Sequence, residues 1–229
     1  MTQSPLDGQT IAIIGGTGSF GYGLAKRLAQ RGKLVLIGSR TVPKAREMAK
    51  ELVVPIGGLA AHGMSNIDAA KHASIVILTV PWDSQRKSVE EIQPYIKNKL
   101  VVSVTVPIDP VKYDQVCLPH DGSAAMALQT QLGPEARVIS AFHSISANDL
   151  NSDKNFDYDL LVFGDNESDA TVGVNMVNEI GFRGIWGGAL VNSVAAEALT
   201  PVLIRIAKNY GLSTIGIKIL GEPQKPKIA

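Results

Sequence analysis

The stretch Thr10-Ile11-Ala12-Ile13-Ile14-Gly15-Gly16-Thr17-Gly18-Ser19-Phe20-Gly21 decides the fold. Thr10–Ile14 is a short apolar run that ends in glycines, the pattern of a strand buried on both faces of a parallel sheet. Gly21–Arg31 carries Leu24, Ala25 and Leu28 at helical spacing, and Gly32 supplies a stop. Between them Gly16, Gly18 and Gly21 make the G-x-G-x-x-G spacing. The first glycine makes a tight strand-to-helix turn, the second lets backbone approach a pyrophosphate, and the third lets helix and strand pack closely. The helix start adds free N–H groups and a partial positive charge. Flanked by strand and helix, the spacing predicts a dinucleotide site, with Gly16, Thr17, Gly18, Ser19 and Phe20 around the phosphates.

Outward from this turn, strand and helix alternate. Lys33–Gly38 predicts a strand and Pro43 opens a helix to about Leu52, since proline suits a first turn. Val53–His62 predicts a weaker strand. Asn66–His72 predicts a short helix capped by Ser65, and Ser74–Val80 a strand stopped by Pro81. Asp83–Ile96 follows as a helix ended late by Pro94, then Leu100–Val106 as a strand closed by Pro107. Ile108–Leu118 is loop-like. Ser123–Leu132 and Arg137–Phe142 predict a helix and a sixth strand. Asp149–Tyr158 reads as loop or short helix. Leu160–Phe163, Ser168–Ile180 and Phe182–Trp186 predict a further strand, helix and strand. Asn192–Tyr210 is one long apolar helix ending at Gly211, with a kink or break expected at Pro201. Ile215–Leu220 is short and apolar, and Gly221–Ala229 reads as a loose tail. The alternation predicts an α/β Rossmann-type doubly wound parallel sheet, residues 1–142, followed by a small C-terminal lobe containing the long helix, residues 143–229.

The chain has 229 residues, 45% hydrophobic and 19% charged, enough for a sizeable core. Twenty-two basic against 21 acidic residues give a formal charge of +1, so no nucleic-acid or membrane-surface partner is expected. The single cysteine, Cys117, excludes an internal disulfide and is read as a packed residue rather than a nucleophile. Met1–Gly8 lacks the basic and apolar parts of a signal peptide. Apolar runs such as Ser74–Val80 are too short to span a bilayer, and a cytoplasmic protein is expected.

An NAD site usually carries an acidic residue at the end of the second strand, bonded to the ribose hydroxyls. Here that strand ends in Gly38-Ser39-Arg40. Ser39 can bond a phosphate oxygen, Arg40 can pair with it as a planar fork, and Lys44 lies one turn on. The sequence therefore predicts NADP. The other strand ends are Thr79-Val80-Pro81-Trp82, Thr105-Val106-Pro107 and His143-Ser144-Ile145-Ser146-Ala147. Ligands of doubly wound sheets gather at such ends. His143 reads either as a general acid or as a structural histidine. Trp82 reads either as a ligand platform or as packing. Asp157 and Asp159 are assigned to a polar loop. No catalytic triad, metal-ligand cluster or spaced carboxylate pair is present, and none is needed if a hydride passes between two held rings.

The chain resembles the F420-dependent NADP oxidoreductases, also called NADPH-dependent coenzyme F420 reductases, from Thr10 to Leu220. The resemblance is carried by Gly15–Gly18, Gly38–Arg40 with Lys44, Leu78–Trp82, Val106-Pro107, Ala141–Ala147, Gly164-Asp165, Leu199-Thr200-Pro201 and Gly216–Leu220. It implies reversible hydride transfer between NADPH and the deazaflavin coenzyme F420, in a homodimer. It further implies that Thr17, Gly18, Ser39, Arg40, Lys44, Val80, Trp82, Val106 and Ala147 contact NADP; independently of it, Pro81 reads as fixing a sharp exit between Val80 and Trp82 at the cofactor site. His143, Ile145 and Ile215 match positions near the deazaflavin. Two departures stand out: Ser146 where the family often has proline, and Ser84 where relatives can have histidine. Two other readings stay open. One is an NADP-dependent reductase of a flavin, quinone or metal-chelate acceptor, and the other a non-catalytic NADP-binding sensor. Arg205 and Lys208 are possible holders of an anionic coenzyme tail, or solvent-facing charges.

Overall fold

The computed structural model describes residues 4–56 and 61–221, with side chains throughout except at 53–56. Six parallel strands form the main sheet: β1 (Thr10–Ile14), β2 (Leu34–Ser39), β3 (Ala61–Ser65), β4 (Ile75–Leu78), β5 (Leu100–Ser103) and β6 (Arg137–Ser140). Their order is β3-β2-β1-β4-β5-β6, the order that defines the Rossmann sheet. The winding reverses beside β1, so the carboxyl ends of β1 and β4 border the crevice at the switch point.

The helices lie on both faces because the strand residues alternate between two apolar layers. Ile11 and Ile13 of β1 pack with Leu24 and Leu28 of α1 (Ser19–Gln30) and Ala45 and Ala49 of α2 (Val42–Ile56). Ala12 and Ile14 pack the other way, with Ala69 and Ala70 of α3 (Asn66–His72), Val89 of α4 (Trp82–Ile92) and Leu128 of α5 (Ala124–Leu132). Such two-sided burial explains why these strands read as continuous apolar runs.

Beyond β6 come α6 (Ala147–Asn151), β7 (Asp159–Val162), α7 (Glu167–Glu179), β8 (Arg183–Trp186) and α8 (Ser193–Tyr210). β7 and β8 form a parallel pair, and Ser140 and Phe163 exchange backbone bonds at 2.9 Å to join it to β6 in antiparallel sense. Met176 and Val177 of α7 share the α1-side layer with Ile13. Arg27 of α1 fastens this part to the sheet. Its guanidinium donates to the carbonyls of Asp149, Leu150, Ser152 and Ile180 at 2.8–2.9 Å and lies over the Phe182 ring.

Several expectations are corrected. α2 runs to Ile56, so Val53-Val54 extend a helix rather than begin a strand, and the third strand is Ala61–Ser65. The intervening residues 57–60 of that expected strand lie outside the described residues, as does all of the expected tail beyond Gly221. β5 ends at Ser103, three residues short of Val106. Of the kink or break expected at Pro201, the break does not occur: α8 is continuous from Ser193 to Tyr210, with Pro201 itself buried. Cys117 is exposed, because Ile108–Leu118 lies on the surface as a loop. Asp159 opens β7 and is fully buried, where it accepts bonds from the Arg183 guanidinium and the Ile219 N–H. The long apolar helix expected at Asn192–Tyr210 forms, and the segment Leu190–Tyr210 is long and apolar enough to cross a membrane by length and composition, unlike runs such as Ser74–Val80.

Candidate functional site: two adjoining hollows at the strand ends

The phosphate turn forms as its glycines require. Gly16 donates its N–H to the Gly38 carbonyl at 2.9 Å, drawing the turn onto the end of β2. A Cβ at Gly21 would lie 2.8 Å from the Gly16 Cα and 2.6 Å from the Thr79 hydroxyl, so the third glycine is dictated by contact with the turn and β4. Gly18 caps α1 with extended backbone and no side-chain bond, and the first turn of α1 holds no acidic residue. The helix start is therefore bare and suited to phosphate.

Around it lies an open hollow of about 490 Å³. Thr17, Gly18, Ser19 and Phe20 line it from the turn, Ser39, Arg40 and Lys44 from β2 and α2, and Val80 and Pro81 from the end of β4. The Ser39 hydroxyl lies 3.1 Å from the Thr17 hydroxyl and accepts the Thr41 N–H at 3.1 Å. Arg40 is exposed, and among the described residues no acidic side chain lines the hollow. Sequence reasoning had not placed Asn66, Ser84 and Ser88 here. The Asn66 carboxamide accepts the Gly15 N–H at 3.3 Å, which fixes the turn from α3. Ser84 and Ser88, one turn apart on α4, bring two hydroxyls to the wall. Their four-residue spacing on a helix opening at a strand end was the available signal.

A second hollow of about 300 Å³ adjoins the first and shares Phe20, Thr79, Val80 and Pro81 with it. Its other walls include Val106, His143, Ile145 and Thr200. The Thr105 hydroxyl donates to the Val80 carbonyl at 3.0 Å and the Thr79 hydroxyl to the Ile14 carbonyl at 2.9 Å, holding three strand ends in register with one another. Phe142, with φ of 72° and 1% exposure, turns the chain between β6 and His143. A bulky residue with positive φ is a strained conformation that the surrounding structure must hold.

His143 is buried, with Nε2 3.3 Å from the Ser140 hydroxyl and Nδ1 without a bonding partner. Burial pulls its pKa down to about 4, so the ring is neutral near pH 7 and supplies a polar wall rather than an imidazolium acid. Its carbonyl accepts the Thr200 hydroxyl at 2.8 Å.

Four expected positions, Gly16, Trp82, Ala147 and Ile215, line neither hollow, and Val106 lines the second hollow rather than the dinucleotide one; Gly16 is buried behind the turn. Trp82 begins α4 but lines a separate hollow with Gln85, Arg86 and His120. Ala147 is the first residue of α6, where its carbonyl accepts from Asn151. Ile215 lies in the segment that joins β7 through the bridge between Asp159 and Ile217. Ser146 caps α6 by accepting the Asp149 N–H at 3.0 Å. Arg205 and Lys208 both reach Asp114 on the surface, at 2.9 and 4.0 Å.

Residues 10–107 match the family described as NADP oxidoreductase, coenzyme F420-dependent. An F420-dependent NADP reductase of Methanocaldococcus jannaschii is 38% identical over 91% of this chain and 97% of its own length. The chain belongs to the F420-dependent NADP oxidoreductase family. A second F420-dependent NADP reductase, from Methanothermobacter thermautotrophicus, is 36% identical over 94% of this chain and 96% of its own. A solved structure from Arthrobacter sp. FB24, provisionally named an F420-dependent NADP reductase, superposes with a TM-score of 0.78 at 23% identity, covering 93% of this chain and all of that one. The likeness supports the fold. In this member of the family the phosphate turn, the Ser39–Arg40 edge and the His143 wall all meet at the carboxyl ends of the sheet.

Proposed function

We propose that this protein transfers a hydride reversibly between NADPH and the deazaflavin coenzyme F420, the chemistry that the name of its relatives, F420-dependent NADP reductase, denotes. The observation that carries the reading is the pair of adjoining hollows that share Phe20, Thr79, Val80 and Pro81. One hollow has the hydroxyls, N–H groups and cation that a phosphorylated dinucleotide requires. The other has mostly apolar walls, as a flat ring requires.

In this reading the start of α1 takes the pyrophosphate. Ser39, Arg40 and Lys44 take the ribose phosphate, as hydroxyl, fork and point charge. Val80 and Pro81 form the partition at which the nicotinamide meets the second ring. His143 and Ile145 back that ring, while Trp82, Ala147 and Ile215 act from outside the two hollows or in an assembled dimer. NADPH supplies the hydride and the deazaflavin accepts it, so this chain holds the rings face to face and excludes water. The unit at 1–142 binds NADP, and the lobe at 143–229 provides the deazaflavin wall and the dimer contacts.

A homodimer accords with the outer face of α8, where Val202, Ile206 and Tyr210 are exposed at four-residue spacing, with Val191 just before the helix and Leu212 just after it also exposed. A soluble, cytoplasmic protein is part of this reading; the bonds that tie the inner face of α8 to the start of α5, through Ser193 and Glu197, accord with a helix packed on the protein rather than in a bilayer.

The reading is tested by mixing the protein with NADPH and oxidised F420, and in parallel with free flavin, and following the visible absorbance of the deazaflavin. Brisk bleaching with F420 is expected. Turnover of flavin alone would reassign the acceptor, and NADPH binding without turnover of either would favour a sensor.

A further inference from the structure

Glu197 is 1% exposed on α8, and its two carboxylate oxygens accept the N–H groups of Ala124 at 2.6 Å and Ala125 at 3.1 Å. These are the first residues of α5, where helix N–H groups lack intrahelical partners. Ser193, one turn earlier, donates to the Ser123 hydroxyl at 2.8 Å, and Gln85 of α4 donates to the Ala124 carbonyl at 3.0 Å. Thr200, one turn later on α8, donates to the His143 carbonyl. One helix therefore joins the α5 start to the wall of the second hollow.

We propose that Glu197 is a positioning residue for the reaction: its carboxylate fastens α8 to the start of α5 and thereby sets Thr200, which holds the His143 carbonyl at the second hollow. The inference rests on the NADPH:F420 reading for its kinetic test, but not for its structural one.

The carboxylate stands alone electrically. Neither α5 nor the 3-10 turn Leu190–Asn192 carries an ionisable side chain. On α4, Asp83, Arg86, Lys87, Glu90 and Glu91 lie on a helix whose contact here is Gln85, and Arg86 pairs with Glu90. Asp165 accepts the Leu190 N–H ahead of α8, Arg205 pairs with Asp114, and His120 and Asp121 are exposed on the loop before α5. His143 is neutral near pH 7. Among the described residues Glu197 has no ion-pair partner. Burial outweighs the two N–H bonds and raises its pKa to about 7. The fastening then weakens as the carboxylate takes a proton, because the protonated oxygen is a poor acceptor. No atom of α8 lines the dinucleotide hollow, so the effect is confined to the second substrate.

The test compares wild type, Glu197→Gln and Thr200→Val as full chains at about pH 8 and about pH 6, on either side of the carboxyl's value. At the higher pH, Glu197→Gln is expected to raise KM for F420 severalfold and leave KM for NADPH unchanged. At the lower pH the two proteins converge. Thr200→Val gives the same split at both pH values. Equal effects on both KM values, or a split independent of pH in Glu197→Gln, would overturn the proposal. If wild type turns over no F420, amide exchange of the free protein decides instead, after correction for intrinsic rates. Ala124 and Ala125 should be better protected in wild type than in Glu197→Gln at the higher pH only, and equal protection would overturn the proposal. In that case the reading of the acceptor fails separately.

Discussion

The Thr17 hydroxyl stands 3.1 Å from the Ser39 hydroxyl. This contact joins the phosphate turn to the end of β2, so two oxygen-bearing side chains face the hollow as one edge, with Arg40 next in the chain. A carboxylate at that edge would repel a ribose phosphate, and its replacement by a serine and an arginine turns repulsion into two donors.

Arg40→Asp is therefore expected to weaken NADP binding at least about tenfold, the loss of one charge-assisted bond of roughly 1.5–3 kcal/mol plus new repulsion. NAD binding should be unchanged or improved. Calorimetric titration of the variant with both coenzymes checks this.

Gly63 of β3 lies against α2 so closely that a Cβ would stand 2.1 Å from the Ala45 carbonyl carbon. Backbone cannot yield as a flexible side chain can. Gly63→Ala should destabilise the fold by about 3 kcal/mol or more, at the upper end of overpacking costs. Denaturant unfolding measures the shift, and a stability equal to wild type would contradict the packing described.

Two buried groups titrate with opposite consequences. Glu197 has its folded pKa raised to about 7 from 4.5, so the folded state binds the extra proton and stability rises as pH falls from about 7 towards 4.5. His143 has its folded pKa lowered to about 4 from 6.5, so the unfolded state binds the proton and stability falls across nearly the same range. Each effect is on the order of a few kcal/mol, and the two oppose each other. Glu197→Gln should thus expose the histidine and make Tm drop on acidification from pH 7 to 5, while His143→Asn should make it rise. Parallel Tm curves for the two variants would refute this assignment.

Asp159 is held below the usual carboxylate range first by the Arg183 guanidinium and also by the Ile219 N–H, against the opposing effect of burial. It contributes stability that is present above the ordinary aspartate value and lost as pH falls through its lowered one. Because Arg183 is half exposed and can be rehydrated, Asp159→Asn should cost about 1–3 kcal/mol near pH 7. It should also speed amide exchange at Ile217 and Ile219, whose segment docks on β7 through this residue.

The sheet was legible because its cause is local. Each of Thr10–Ile14, Lys33–Gly38 and Ser74–Val80 is an apolar run ended by a glycine or proline, and the glycine spacing marks the turn that needs close approach. Ser39 and Arg40 were legible because they follow the second strand directly in the chain. Glu197 was not, since its partners are backbone N–H groups more than seventy residues away in sequence. Nor was the buried role of Asp159, where the pairing with Arg183 depends on two strands meeting. The break allowed for at Pro201 does not occur, because the rule for an isolated helix ignores neighbours, while here Pro201 is buried and α8 continues. Trp82 adjoins a strand end in sequence, yet as the first residue of α4 it turns toward Arg86 and His120.

The central claim is that a cationic, hydroxyl-bearing edge beyond β2 selects the phosphorylated dinucleotide. Calorimetric titration of the wild-type protein with NADP and with NAD tests it most directly. At least tenfold tighter binding of NADP, worth about 1.4 kcal/mol, is the expected result. Equal or tighter binding of NAD, or heat from neither, would contradict it.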